Sequence, residues 1–282
     1  MKKSIPAKSK TNQDAYVTST RIFGHLYAHM FAVWDGHGQN GTLVSSFLKA
    51  QLPYYMLPQL SSLMPSNIIP SETKVARAMK VAFQSCNKAL CESPFNTHFS
   101  GSTWVCVLIV EKHIYCSNVG DSKAVLFKNN GQHVSLSHDH KPDNEEEKKR
   151  IYASGGEVFT YLNKCGKPVG PARVWVKSQN YPGLAMSRAM GDQVGSLVGV
   201  ISVPEVIHYV MDEDSFIVIA SDGIWEFMTE KDVNTVVQPY YEIDDAEGAA
   251  EALVKEAFSQ WKHNEVIIDD ITCIVLFIDY KD

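Results

Sequence analysis

Three apolar runs stand almost end to end in the middle of this chain: WVCVLIV at 104–110, HIYCSNV at 113–119 and KAVLF at 123–127. Glu111 and Lys112 separate the first pair, and Gly120, Asp121 and Ser122 separate the second. Short runs rich in Val, Ile and Phe read as strands. Neighbours this close can pair only antiparallel, because a parallel return needs a crossover of about a dozen residues or more. A hairpin turning at Glu111-Lys112 and a second turn through Gly120-Asp121 are therefore expected. KNNG, ending at Gly131, marks a further turn. FAVW at 31–34, FIVIA at 216–220 and ITCIVLFI at 271–278 are the other strand-like runs.

Helical spacing lies between these groups. From Ser71 to Cys91 the apolar set is Val75, Met79, Ala82, Phe83, Cys86 and Leu90. From Asp244 to Lys262 it is Ala246, Ala250, Leu253, Ala257, Phe258 and Trp261. Asp143–Ser154 opens on Glu145, Glu146 and Glu147 and continues with Lys148, Lys149 and Arg150, which complements a helix dipole, with Gly155 able to turn the C-terminus. That charge run reads as a solvated face. Strand hairpins with intervening helices make a layered α+β domain. Thr160–Gly183 is rich in Gly and Pro with little periodicity, and reads either as a functional lid or as a surface excursion. Within it, Trp175 and Arg173 could touch a substrate or pack the segment down, and packing is favoured.

The totals exclude several classes. A net charge of −6 over 282 residues argues against a general nucleic-acid binder. No apolar stretch nears the roughly 18 residues that span a bilayer. MKKSIPAKSKTNQD has neither the apolar core of a secretory signal nor a Met-Gly start for myristoylation. The six cysteines form no CxxC pair, and Cys106, Cys116 and Cys273 lie in apolar runs. Reduced thiols in an intracellular protein, cytoplasmic or nuclear, are expected, and the sequon at Asn40-Gly41-Thr42 is read as chance.

Chemistry enters where apolar runs meet aspartates. FAVW runs into Asp35-Gly36-His37-Gly38, HIYCSNVG into Asp121, FIVIAS into Asp222-Gly223, and Asp269-Asp270 precedes the last run. One such aspartate is an ordinary turn former, but four in one chain suggest carboxylates gathered at one place. Like charges that close cannot all stay ionised without compensation, and a divalent cation supplies it. An all-oxygen set suits Mg²⁺ or Mn²⁺ better than Zn²⁺. Glycine at 36 would let its own carbonyl approach such an ion. His37 could be a further ligand, a proton donor to a leaving group, or a plain capping or surface residue.

These motifs resemble the type 2C metal-dependent serine/threonine protein phosphatases. The matches run in order along nearly the whole chain: TNQDAY (11–16), VWDGHG (33–38), GSTWV (101–105), NVGDSKAVL (118–126), DHKPDNEEEKKRI (139–151), GGEV (155–158), PGLAMSRAMGD (182–192), ASDGIWEFM (220–228) and DDIT (269–272). The resemblance implies a four-layer αββα sandwich: two antiparallel β-sheets flanked by α-helices, with a flap at about 160–182, the whole of 1–282 being one catalytic domain. It implies two tightly bound Mg²⁺ or Mn²⁺ ions, with a weaker third. Asp35 matches the bridging ligand, Gly36 a carbonyl ligand, and Asp222 and Asp269 the other ligands of the first ion. Asp121 matches a carboxylate of the third ion, and Asp14 one that holds metal-bound water. His37 matches the general acid, with Asp35 beside it in the catalytic centre. Thr103 lies in a motif near the cleft and, with Lys8 and Lys10, is expected among the substrate-binding residues.

This chain departs from the common pattern at Gln13, where many relatives have Glu, at Ser9, where a phosphate-binding Arg is usual, and at Asp270, where Asn is frequent. The implied reaction is hydrolysis of phosphoserine and phosphothreonine in proteins by a metal-activated water, without a covalent intermediate. No Cys-x5-Arg loop offers another route. The implied partners are phosphorylated proteins, and the implied state is a monomer. The alternatives are a pseudophosphatase that binds phosphoproteins, opposed by the retained carboxylates, and a metal-dependent nuclease or phosphodiesterase, opposed by the acidic balance.

Overall fold

The computed structural model describes residues 11–22, 28–61, 63, 71–212 and 214–278. In chain order its strands begin with β1 (Ala15–Ser19), β2 (Ala28–Trp34), β3 (Gly36–His37), β4 (Gly101–Ser102), β5 (Trp104–Val110), β6 (His113–Val119), β7 (Lys123–Lys128) and β8 (His133–Ser135). There follow β9 (Gly156–Leu162), β10 (Pro168–Val176), β11 (Pro182–Leu184), β12 (Met190–Gly191), β13 (Glu205–Val210), β14 (Asp214–Ala220) and β15 (Cys273–Phe277). The helices are α1 (Gly41–Ser61), α2 (Glu72–Cys91), α3 (Glu145–Ala153), α4 (Gln193–Ser196), α5 (Asp222–Trp225), α6 (Glu230–Tyr241) and α7 (Ala246–Asn264).

Two antiparallel sheets form the centre, one ordered β1-β2-β5-β6-β13 and the other β15-β14-β7-β8. Their strands are apolar on both sides because both faces are covered. In β5, Trp104, Cys106 and Leu108 face outward onto α1 and α2, while Val105 and Val107 face the second sheet. In β14, Ile217 and Ile219 point inward between the sheets, while Phe216 and Val218 pack under α6 and α7. The period-2 alternation of side chains thus divides one continuous apolar run between two cores. The layers are helix, sheet, sheet, helix, as expected for the α+β sandwich.

The tightest sequence expectation holds for one turn and fails for the other. β5 and β6 pair antiparallel around Glu111-Lys112, with Val110 opposite His113. KAVLF does not pair with β6 at all: β7 lies in the other sheet, between β14 and β8. Gly120, at φ +101°, bends the chain from one sheet to the other, and a Cβ there would press on Thr103. Asp121 therefore sits where the two sheets part.

The helix expected from Ser71 is α2, and all six of its expected apolar side chains are buried together with Ala78. In α7 the buried stripe is Ala249, Leu253, Ala257 and Trp261, with Phe258 outside. The segment 160–183 is not irregular. Strands β11-β10-β9 make a third sheet over a small core that includes Ile151, Val158, Val174 and Leu184. Trp175 is buried there, stacked on Phe159 at 5.0 Å, and its Nε1 donates to the Phe159 carbonyl. Arg173 donates from Nη1 to the Gly183 carbonyl at 2.7 Å, tying β10 to β11. Among the described residues no helix is long and apolar enough to cross a membrane.

Candidate active site

Strand register brings the aspartates to one end of the sandwich. Ala15 lies opposite Trp34, so Asp14, just before β1, adjoins Asp35, just after β2. Trp104 lies opposite Val119, which puts Asp121 at the same end. In the second sheet Ala220 is paired with both Lys123 and Cys273, which brings Asp222 and the Asp269-Asp270 pair there too. Each carboxylate thus follows or precedes a strand whose end is fixed by its neighbours.

Burial first, and then mutual repulsion, raises their proton affinities. Asp35 is pushed well above the usual carboxylate range, first by burial and then by the charges of Asp222, Asp14 and Asp121. Asp222 is pushed up to about 7 by burial, with Asp121 and Asp269 adding to it. Asp14 is pushed up to about 6 by burial, with Asp270 and Asp269 adding, against hydrogen bonds from Thr272 and Ser221 that favour its charge. Among the described residues no group of three His, Cys, Asp or Glu side chains stands ready to hold an ion. The donor chemistry nevertheless fits one. The Oδ1 atoms of Asp14, Asp121 and Asp222 are shut off from solvent and have no hydrogen-bond partner. Oxygens left this way are costly unless a cation meets them.

The backbone around Asp35 is held from behind. The Asp35 amide donates to Thr103 Oγ1 and the Thr103 amide donates to the Asp35 carbonyl, both at 2.9 Å. Thr103 is fully buried, and its hydroxyl also meets Ser122 Oγ at 2.6 Å. With no exposed surface of its own, it braces the Asp35 backbone from behind. Gly36 is required by crowding as well: a Cβ there would come within 2.5 Å of the Gly41 carbonyl oxygen and 2.6 Å of that of Gln13. Two of the unusual residues meet each other, since the Gln13 amide donates to Asp270 Oδ2 at 2.9 Å. The Gln13 side chain donates to the Gly38 carbonyl. Lys8, Lys10 and Ser9, where a phosphate anchor was sought, lie outside the described residues.

His37 is held on one side only. Its Nε2 lies 2.6 Å from Asp192 Oδ2, whereas Nδ1 is buried without a partner. Burial works against charge on the ring, yet Asp192, with Asp121 and Asp222 adding, outweighs it and raises the imidazole's proton affinity. Asp192 is itself buried, with a left-handed backbone at φ +43°, and its amide donates to the Ser100 carbonyl.

Asp192 and Lys141 are the functional neighbours that the sequence reading leaves without a role. Lys141 donates from Nζ to Asp121 Oδ2 at 2.5 Å, and burial, which opposes its charge, is outweighed by Asp121. A signal existed for Asp192, because its Gly-Asp repeats the pattern of Gly120-Asp121. Lys141 lies inside the DHKPDNEEEKKRI match, but nothing in that run singles it out. The charge run of α3 needs a correction: Glu147 is buried, not solvated. Its carboxylate accepts from Arg150, Arg188 and Ser187, with Arg188 Nη2 at 2.6 Å. The helix face turns inward there because two guanidinium groups are available.

Comparison with known proteins agrees with this architecture. Residues 16–266 match the family model of protein phosphatase 2C. The chain is 34% identical to probable protein phosphatase 2C 35 of Arabidopsis thaliana over 95% of its own length and 79% of that protein's. It is likewise 34% identical to probable protein phosphatase 2C 72 of the same plant, over 99% and 85% of the two chains. Its fold is similar to the crystal structure of serine-threonine phosphatase 2C from Toxoplasma gondii, with a TM-score of 0.75, 20% identity and 94% of each chain covered.

Proposed function

This chain belongs to the protein phosphatase 2C family, and from that premise we propose that it hydrolyses phosphoserine and phosphothreonine in proteins with the help of two divalent cations, Mg²⁺ or Mn²⁺. The observation that carries the proposal is the uncompensated oxygen cluster at the end of the sandwich, set beside a histidine held by a buried carboxylate. Asp35, the Gly36 carbonyl, Asp222 and Asp269 would hold the pair. Asp121 and Asp222 would offer a weaker third place, and Asp14 would hold metal-bound water. When bound, the ions supply an activated water nucleophile and offset the charge of the phosphate.

The chain's own residues do the rest. Thr103 and Ser122 fix the Asp35 backbone from behind, which sets the point from which its carboxylate enters the cleft. Lys141 occupies one oxygen of Asp121 and leaves Oδ1 for the cleft. Asp192 accepts from His37 Nε2, which leaves Nδ1 as the nitrogen able to give a proton to the leaving serine or threonine oxygen. A serine alkoxide is a poor leaving group, and a positioned acid is worth about 10²–10⁴-fold there.

The test is turnover of a phosphothreonine peptide with added Mn²⁺ or Mg²⁺, and its disappearance in EDTA. Full turnover in chelator would overturn the metal-assisted reading, and no turnover with either ion would leave a phosphoprotein-binding regulator in its place. His37→Gln is expected to slow a phosphopeptide far more than an aryl phosphate, whose oxide leaves with little need of a proton. Equal losses on both would remove the acid role.

A further inference from the structure

A cavity of 270 Å³ opens directly beside His37 and Asp192. Its far wall is apolar and comes from two places: Phe99, just before β4, and Leu184, Ala185 and Met186 at the end of the flap sheet. Phe99 is 53% exposed although it is a large aromatic side chain, and it touches the flap edge-on through Tyr181 at 6.0 Å. Arg173, fixed by its bond to the Gly183 carbonyl, stands at the border of the same space. The cavity is smaller than the roughly 300–1,000 Å³ that hold a drug-sized ligand, and its one carboxylate is already engaged, since Asp192 Oδ2 meets His37 Nε2.

We propose that this cavity is a subsite for the side chain of the residue next to the phosphorylated one, and that it takes an aliphatic or aromatic side chain in preference to Lys or Arg. The inference rests on the phosphatase reading above and deepens it. The oxygen that leaves phosphorus is bonded to the Cβ of the phosphorylated residue. If that oxygen meets His37, the peptide backbone passes two bonds away, and the next Cα lies about 3.8 Å further on. The space that shares His37 as a wall is therefore the space that one neighbouring side chain must enter or cross. Phe99, Leu184 and Met186 offer that side chain an apolar contact. The Arg173 guanidinium opposes a second cation. A small aryl phosphate does not extend this far.

The experiment compares kcat/KM, with Mn²⁺ present, for phosphothreonine peptides that differ only in the residue immediately before or immediately after the phosphothreonine, set to Leu, Ala or Lys. On one of the two sides the Leu peptide is expected to exceed the Ala peptide by about tenfold, the low end of what one methylene group is worth in an apolar pocket, and the Lys peptide is expected to be the slowest. Phe99→Ala should bring the Leu-to-Ala ratio down towards one. Phe99→Glu should reverse the order and favour Lys, a gain that misfolding cannot produce. Ratios taken within one preparation do not depend on its active fraction. Turnover without any preference at either side, or a preference that both variants leave intact, would overturn the subsite. Failure of every phosphopeptide would instead overturn the phosphatase reading itself.

Discussion

Asp222 and Glu147 are acidic side chains drawn out of water in the same fold, and their carboxyls are driven in opposite directions. Burial raises the proton affinity of both. At Asp222 the neighbours are Asp121 and Asp269, which add to the effect, and the carboxyl is pushed up to about 7. At Glu147 hydrogen bonds from Arg150, Arg188 and Ser187 overcome burial and hold the carboxyl far below the usual range. Burial therefore does not separate a structural carboxylate from a functional one. Compensation does: Glu147 finds its cations within the chain, whereas Asp14, Asp121 and Asp222 each keep a buried Oδ1 without a partner, even though Lys141 meets the other oxygen of Asp121.

The largest effect expected from this contrast is on catalysis. Asp35→Asn should lower kcat/KM on a phosphopeptide by about 10³-fold, because metal charge at the transition state is worth several kcal/mol. The same variant should melt no lower than the parent in chelator, since it removes a repelled charge. A large drop in Tm with modest loss of activity would place Asp35 with Glu147 instead. Next in size, Glu147→Gln should cost about 3 kcal/mol of folding stability, because it leaves two partly buried guanidinium groups without a full counter-charge. Denaturant titration measures this, and a cost under about 0.5 kcal/mol would mean that the cluster is no stronger than a surface pair.

A smaller effect comes from ions. Adding Mn²⁺ should raise the Tm of the parent through preferential binding to the folded chain, and raise that of Asp222→Asn by less. An equal rise in both proteins would remove Asp222 from the ion site.

The last effects are in the pH dependence, where the two regions should have opposite signs. Asp222 has a folded value of about 7 against an ordinary value near about 3.9 when unfolded. Between these the folded chain retains a proton that the unfolded chain has lost, so stability in chelator falls as pH rises through that window. Asp222→Asn lacks this term and should gain on the parent from about pH 4 to pH 7. Glu147 is displaced downwards, so its contribution is present above the unfolded value of about 4.3 and is lost as pH falls below it. The deficit of Glu147→Gln should shrink in acid. Thermal melts of the three proteins across pH in EDTA measure both trends, and trends of the same sign would erase the distinction.

From sequence alone, six of the strands and the gathering of aspartates were legible. WVCVLIV, HIYCSNV and FIVIA become β5, β6 and β14 because continuous apolar runs between turn residues leave a chain little choice but a strand buried on both faces. Val75, Met79, Phe83 and Leu90 likewise define the buried stripe of α2. Helix α1 was not legible, although Val44, Leu48, Leu52, Met56 and Leu60 recur every fourth residue, because Pro53 and Pro58 contradict the pattern locally. Packing of that stripe on the first sheet overrides the local cost. Only the tertiary structure decided that β7 leaves its neighbour for the other sheet, that Thr103 stands behind Asp35, and that residues 156–184 fold into a sheet of their own. It also decided that His37 meets Asp192, 155 positions away, and that Glu147 turns inward. Periodicity reports whether a side chain is withdrawn from water. Which charge it then faces depends on register and on closure between distant segments, and those energies are not written in any local stretch of the chain.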